Sequence, residues 1–275
     1  MNDSVGRFNL QAEGMRMGSV KKAFDLSGKV ALVTGGSRGL GLQIAEALGE
    51  QGAELMLSSR KAADLEQARA HLAKLGYKAE TVAADNSRDA DISRLVDTTL
   101  AKFGHIDILV NNAGANWGAP TEDHPVDAWD KVMNLNIRSL FLLSQQVAKR
   151  SMIPRNYGRI INMASIAGLR GHLGETQTIA YNTSKGAVVN FTRALAGGWG
   201  QYGITVNALA PGFFPSKMTA GTIKAVGLEK MTANVPLRRI GDEDDLKGAV
   251  VLFASDAGKH ITGQILAVDG GITAV

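Results

Sequence analysis

The chain contains no cysteine, which removes disulfides, thiolate nucleophiles and cysteine-ligated zinc together and fits a reducing compartment. It also lacks a strong excess of either charge. The net charge is +4, with Lys and Arg scattered rather than clustered, so no nucleic-acid footprint is present. No apolar run approaches the roughly 18 residues of a membrane span. Residues 1–24 lack the apolar core of a secretory signal and are expected to form a flexible extension, with Met15 and Met17 as alternative starts. A cytoplasmic protein is expected. There is no internal repeat, no low-complexity segment and no metal-ligand spacing among the histidines, so no metal is expected.

What is there is a regular alternation. The 275 residues, 45% of them hydrophobic, suit one large α/β domain. Short apolar runs at 29–36, 53–60, 78–86, 106–114, 158–165, 204–212 and 264–271 predict strands. Between them, helical spacing is found after the first two runs, over Asp89 to Phe103, over Trp129 to Ser151, from near Tyr181, and over Asp242 to Ala254. Strands apolar on both faces, alternating with helices, imply a parallel sheet covered on both sides. The stretch 212–236 is long for a connection in a compact domain, and a substrate lid is expected there.

The segment "TGGSRGLG" from Thr34 to Gly41 lies between the first strand and first helix of this alternation. Backbone amides at a helix N-terminus, with the positive end of the helix dipole, form an anion site. Gly35, Gly39 and Gly41 let the chain turn tightly, approach a pyrophosphate and pack the helix on the sheet. A plain strand-to-helix turn would need one or two glycines rather than four. The spacing also lacks the Gly-Lys-Ser/Thr of a P-loop.

Further motifs follow in order: "NNAG" at Asn111 to Gly114, "NLN" ending at Asn136, Ser165 after "INMA", "YNTSK" from Tyr181 to Lys185, "APG" at Ala210 to Gly212, and a closing "VDGG". From about Leu26 to its end the chain resembles the short-chain dehydrogenase/reductase family. The resemblance implies a single-domain Rossmann-type fold, a doubly wound parallel sheet with helices on both faces spanning 25–275. It also implies a homotetramer that pairs long helices and the last strand. Ser37 and Leu40 belong to the implied pyrophosphate loop. Asp85 and Asn86 are expected to line the adenine pocket, and Asn112, Ala113 and Gly114 to run along the adenosine half. Pro211, Gly212 and Ser216 are expected beside the nicotinamide.

An NAD site places Asp or Glu at the end of the second strand to hold the ribose 2′-hydroxyl. Here Ser59 fills that slot and Arg60 follows it. Arg38 and Arg60 could pair with a 2′-phosphate, with Ser37 and Ser59 as neutral donors and Lys61 as a weaker candidate. NADP(H) is therefore expected in preference to NAD(H).

Ketone reduction needs a hydride donor and a proton for the developing alkoxide. Tyr181 and Lys185 are four apart and share a helix face. A nearby ammonium is expected to lower the phenol toward neutral pH, so that Tyr181 acts as acid in reduction and as base in oxidation. By resemblance, Lys185 also holds the nicotinamide ribose, Ser165 binds the substrate oxygen, and Asn136 anchors a water joining Lys185 to solvent. Relatives that bind NADP(H) without turnover usually lose the tyrosine or lysine, and this chain keeps both.

The pocket is expected to combine Phe213, Phe214 and Met218 with Arg170 and Lys217, while Trp117, His124 and His172 lie in segments that could border it. Two substrate classes fit: a 3-oxoacyl thioester on a carrier, using the apolar lid, or a sugar acid such as gluconate, held through Arg170 or Lys217. The chain resembles both ketoacyl reductases and gluconate 5-dehydrogenases. The small-molecule partner is thus a carbonyl compound or secondary alcohol.

Overall fold

The computed structural model describes residues 19–171, 177–216, 219, 221, 223–224 and 227–275. His172, Lys217 and Met218 therefore lie outside the described residues, as does most of the expected extension. Within that stretch Val20–Ala23 forms one helical turn, α1, and Phe24 packs against the core.

All seven expected strands form: β1 (Val30–Thr34), β2 (Glu54–Ser59), β3 (Ala79–Ala83), β4 (Ile108–Asn111), β5 (Gly158–Met163), β6 (Ile204–Pro211) and β7 (Ile265–Val268). They make one parallel sheet in the order β3-β2-β1-β4-β5-β6-β7. Side chains alternate across β1, so Ala31 and Val33 enter one apolar layer and Leu32 the other. The first layer packs under α2 (Gly39–Glu50), α3 (Ala62–Lys74) and the helix Lys247–Ala254. The second packs under α4 (Asp89–Phe103), α6 (Ser139–Val147) and α8 (Ile179–Trp199). The doubly wound α/β fold is as the alternation predicts.

After β3 the chain crosses back to place β4 beside β1. Such a reversal opens a crevice at the C-terminal ends of the two strands, where ligands of open α/β sheets bind. The glycine loop leaves β1 there and the "NNAG" segment leaves β4.

Two elements differ from expectation. The helix expected over 129–151 starts earlier, as α5 (Val126–Met133), and is interrupted by π-helical turns at Asn134–Arg138 and Ala148–Met152 before ending in α7 (Ile153–Arg155). The helix expected from Asp242 begins only at Lys247. Asp245 receives Arg239 and the Asp242 amide, and these bonds hold 239–245 as a turn.

Candidate active site

Thr34 ties the two walls of the crevice together. Its hydroxyl donates to Val110 O at 3.2 Å and accepts from the amides of Asn112 and Ala113, both at 3.0 Å. The Asn112 amide group donates back to Thr34 O and Gly35 O at 2.8 and 3.3 Å. Asn112 thus braces the glycine loop. A Cβ at Gly41 would lie 2.2 Å from Gly35 O, so only glycine lets α2 start this close beneath the loop. Gly39 has φ +53° and open space where its Cβ would stand. Arg38 is the N-cap of α2, followed by Gly39 and Leu40.

At the end of β2, Ser59 Oγ is buried with no hydrogen-bond partner, and Arg60 beside it is exposed. Arg38 lies across from Asp64 of α3, Nη1 to Oδ2 at 3.5 Å. A glycine cradle at a helix N-terminus, two guanidinium-bearing residues and an orphaned hydroxyl fit a phosphorylated dinucleotide. The Asp85 carboxylate accepts from the Ser87 amide and hydroxyl at 3.0 and 2.8 Å, which fixes the turn before α4, and Asn86 is buried next to it.

The π-helical turn after α5 carries Asn136, buried at the crevice floor. Its Oδ1 accepts from Ala115 N at 2.8 Å, and its Nδ2 donates to Ala115 O and Ser184 Oγ, both at 2.9 Å. The side chain is committed to joining the "NNAG" loop to α8. Gly114 stands between them, its Cβ position 3.2 Å from Asn136 Oδ1 and 3.8 Å from Lys185 Nζ.

Ser165 ends the segment after β5 and caps a one-turn helix, Ile166–Gly168, by accepting from Ala167 N at 3.2 Å. Tyr181 and Lys185 face it from the first turns of α8. Lys185 is buried, donates to Met163 O at 2.6 Å, and lies with Nζ 5.5 Å from the Tyr181 ring centre. The structure therefore brings Asn136, Ser165, Tyr181 and Lys185 to one place. It does not reproduce the expected lowering of the phenol. Burial pushes Tyr181 up, and its hydrogen bond with Ser165 only partly opposes this.

Burial also pulls Lys185 down from 10.5 to about 8. Below about 8 the cost of burying the ammonium is fully present; it fades as pH rises toward 10.5, where the unfolded chain also becomes neutral. Wild type is expected to gain on the order of 3 kcal/mol relative to Lys185→Met across that window, read from denaturation midpoints of ligand-free protein. A pH-independent difference would show that the ammonium is not buried at a cost.

Pro211 ends β6, and Gly212 donates its amide to Val268 O at 2.9 Å. The Ser216 hydroxyl lies 3.0 Å from Thr219 Oγ1 in the first turn of the expected lid. Phe214, expected to line the pocket, is instead buried in the core, where a Cβ on Gly241 would strike its ring. Phe213 packs on Ile166, Val235 and Ile272. Both ring nitrogens of His124 are buried without partners, and its ring meets Trp129 edge-on. Gly168 and Asp64 carry no signal in their local sequence, and Thr34 opens the glycine motif without revealing the bonds it makes across the crevice. Among the described residues no cluster suits a metal ion and no helix is long and apolar enough to cross a membrane.

Residues 35–273 match a family model described as enoyl-(acyl carrier protein) reductase. A gluconate 5-dehydrogenase of Gluconobacter oxydans is 39% identical over 254 residues, covering 91% of this chain and 96% of that protein. A rhamnolipids biosynthesis 3-oxoacyl-[acyl-carrier-protein] reductase of Pseudomonas aeruginosa is 39% identical over 252 residues, covering 90% and 97%. The crystal structure of a gluconate 5-dehydrogenase from Burkholderia cenocepacia, in complex with NADP and tartrate, superposes with a TM-score of 0.87 at 34% identity, covering 94% of this chain and all of that one.

Proposed function

The chain belongs to the short-chain dehydrogenase/reductase family of NAD(P)-dependent oxidoreductases, and on that premise we propose that it is an NADP(H)-dependent ketoreductase acting on 3-oxoacyl thioesters. The observation that carries the ketoreductase chemistry is the meeting of Tyr181, Ser165 and Lys185 beside a crevice built for a dinucleotide. NADP(H), when bound, supplies or accepts the hydride. Gly35, Ser37, Gly39, Leu40 and Gly41 would cradle its pyrophosphate, with Arg38, Ser59 and Arg60 around the 2′-phosphate. Asp85 and Asn86 would border the adenine, Ala113 and Gly114 the adenosine half, and Pro211, Gly212 and Ser216 the nicotinamide.

Ser165 orients the substrate oxygen and Tyr181 donates its proton to it. A phenol held above its ordinary value is protonated at neutral pH, which suits the reductive direction. Lys185 would hold the ribose of the bound cofactor, with Asn136 bracing the loop beside it. Trp117, Leu169 and Ile179 are exposed apolar residues on the segments that flank Tyr181 and Ser165, which supports an acyl chain as the remote part of the substrate. Exposed Val126, Phe141 and Leu266 on α5, α6 and β7 support the homotetramer.

One feature favours the sugar-acid alternative. Arg170 and Arg238 line a cavity of about 510 Å³ with Asn234 and Ile272, a surface suited to a carboxylate. Arg170 already donates to Ile272 O at 2.8 Å and Arg238 to Ala233 O, and neither Ser165 nor Tyr181 lines this cavity, which together weaken that role.

The deciding experiment is reduction of an acetoacetyl thioester and of 5-ketogluconate, each with NADPH and NADH. Turnover is expected with the thioester; activity confined to 5-ketogluconate would replace this substrate by the alternative. No turnover of any ketone despite tight cofactor binding would leave a sensor or scaffold. Calorimetric titration is expected to give NADPH an affinity at least about tenfold above NADH, because two guanidiniums meet the extra phosphate. Equal affinities would remove the assigned preference.

A further inference from the structure

One acid stands inside the otherwise basic corner of the crevice. Asp64 lies in the first turn of α3, five residues past Ser59, and its carboxylate faces Arg38 Nη1 at 3.5 Å. Its side chain is 31% exposed against 57% for Arg38, so the carboxylate is the better covered partner and the guanidinium the more open to solvent and to an incoming ligand. Among the described residues Arg60 has no ion-pair partner, and Ser59 Oγ has no hydrogen bond. Arg38, at the N-cap of α2, is by contrast paired with Asp64. A first-turn acid also favours α3 through the helix dipole, and that role alone would account for an acid at this position.

Resting on the NADP(H) assignment above, we infer that Asp64 is a built-in competitor for the 2′-phosphate and sets how strongly the site prefers a phosphorylated ribose. An incoming phosphate must draw Arg38 away from the carboxylate and then share its surroundings with a remaining negative charge. An unphosphorylated ribose does neither, so its binding is insensitive to Asp64. The acid narrows the gap between the two nucleotides, and NAD(H) is less disfavoured than two arginines alone would make it. Exposure of the pair makes the effect sensitive to salt.

The experiment is calorimetric titration of adenosine 2′,5′-bisphosphate and adenosine 5′-monophosphate into wild type, Asp64→Asn and Asp64→Glu. Asp64→Asn is expected to bind the bisphosphate about fivefold to tenfold more tightly, the size of one opposing charge removed near a surface. Binding of the monophosphate stays unchanged, Asp64→Glu stays close to wild type, and high salt shrinks the gain. A helix-only role would move both nucleotides together or neither. Unchanged or weaker bisphosphate binding in a folded Asp64→Asn would overturn the inference while leaving the NADP(H) assignment intact. Equal binding of the two nucleotides by wild type would instead remove that assignment, and the competitor with it.

Discussion

Replacing Tyr181 with phenylalanine is expected to cut ketone reduction on the order of 100- to 10,000-fold while cofactor affinity stays within about twofold of wild type. The substitution removes one oxygen and leaves the ring that packs beneath Lys185. Ser165 still faces the substrate oxygen, but no positioned acid remains to protonate it. The loss should fall on kcat rather than on cofactor binding. The direction of the Tyr181 shift adds a second readout. Burial pushes the phenol up, so phenolate is scarce at neutral pH, and wild-type alcohol oxidation should accelerate as pH rises through the alkaline range. Initial rates in both directions across pH check this. A Tyr181→Phe enzyme retaining more than about a tenth of wild-type turnover would place the acid elsewhere.

A single methyl group at Gly168 is expected to do nearly comparable damage from outside the reacting groups. A Cβ there would sit 2.4 Å from the Lys185 carbonyl carbon, 2.5 Å from its oxygen and 2.7 Å from Gly186 N. All three are backbone atoms of α8, with no flexible side chain to yield. Gly168→Ala must therefore wedge the Ser165 turn away from the helix bearing Tyr181 and Lys185. A displacement near 1 Å between acting groups costs on the order of 100-fold in kcat. Overpacking of this kind also costs about 1–3 kcal/mol, several degrees in Tm for a chain of this size. Gly186→Ala is the matched control. It sits on the opposite side of the same contact, where a Cβ meets Gly168 O at an ordinary 3.7 Å, and near-wild-type kinetics are expected. Equal behaviour of the two variants would show that the contact does not set the geometry.

The sequence carried the fold well because its information is local. Strand runs and helical spacing are properties of neighbouring residues, and the glycine loop's meaning follows from the strand before it and the helix after it. Arg38 and Arg60 were visible as chemistry, and Tyr181 with Lys185 as spacing. What stayed hidden depends on contacts distant in sequence. Phe214 looks like a pocket residue until Gly241, well beyond it, proves to receive its ring. Lys185 looks set to lower the Tyr181 phenol until the burial of that phenol proves the larger effect. The π-helical turn at Asn136 leaves no compositional mark, since "NLNIR" fits an ordinary helix. Gly168 resembles any loop glycine, and its constraint arises only when α8 arrives.

Thr34 has a consequence for binding thermodynamics. Its hydroxyl, joined to Val110, Asn112 and Ala113, locks the loops after β1 and β4 to each other as the protein folds. The loss of backbone conformational entropy in both loops is thus borne by folding, and little of it remains to be borne by nucleotide binding. Differences in affinity between nucleotides then report the groups that distinguish them, rather than differences in how much loop each must order.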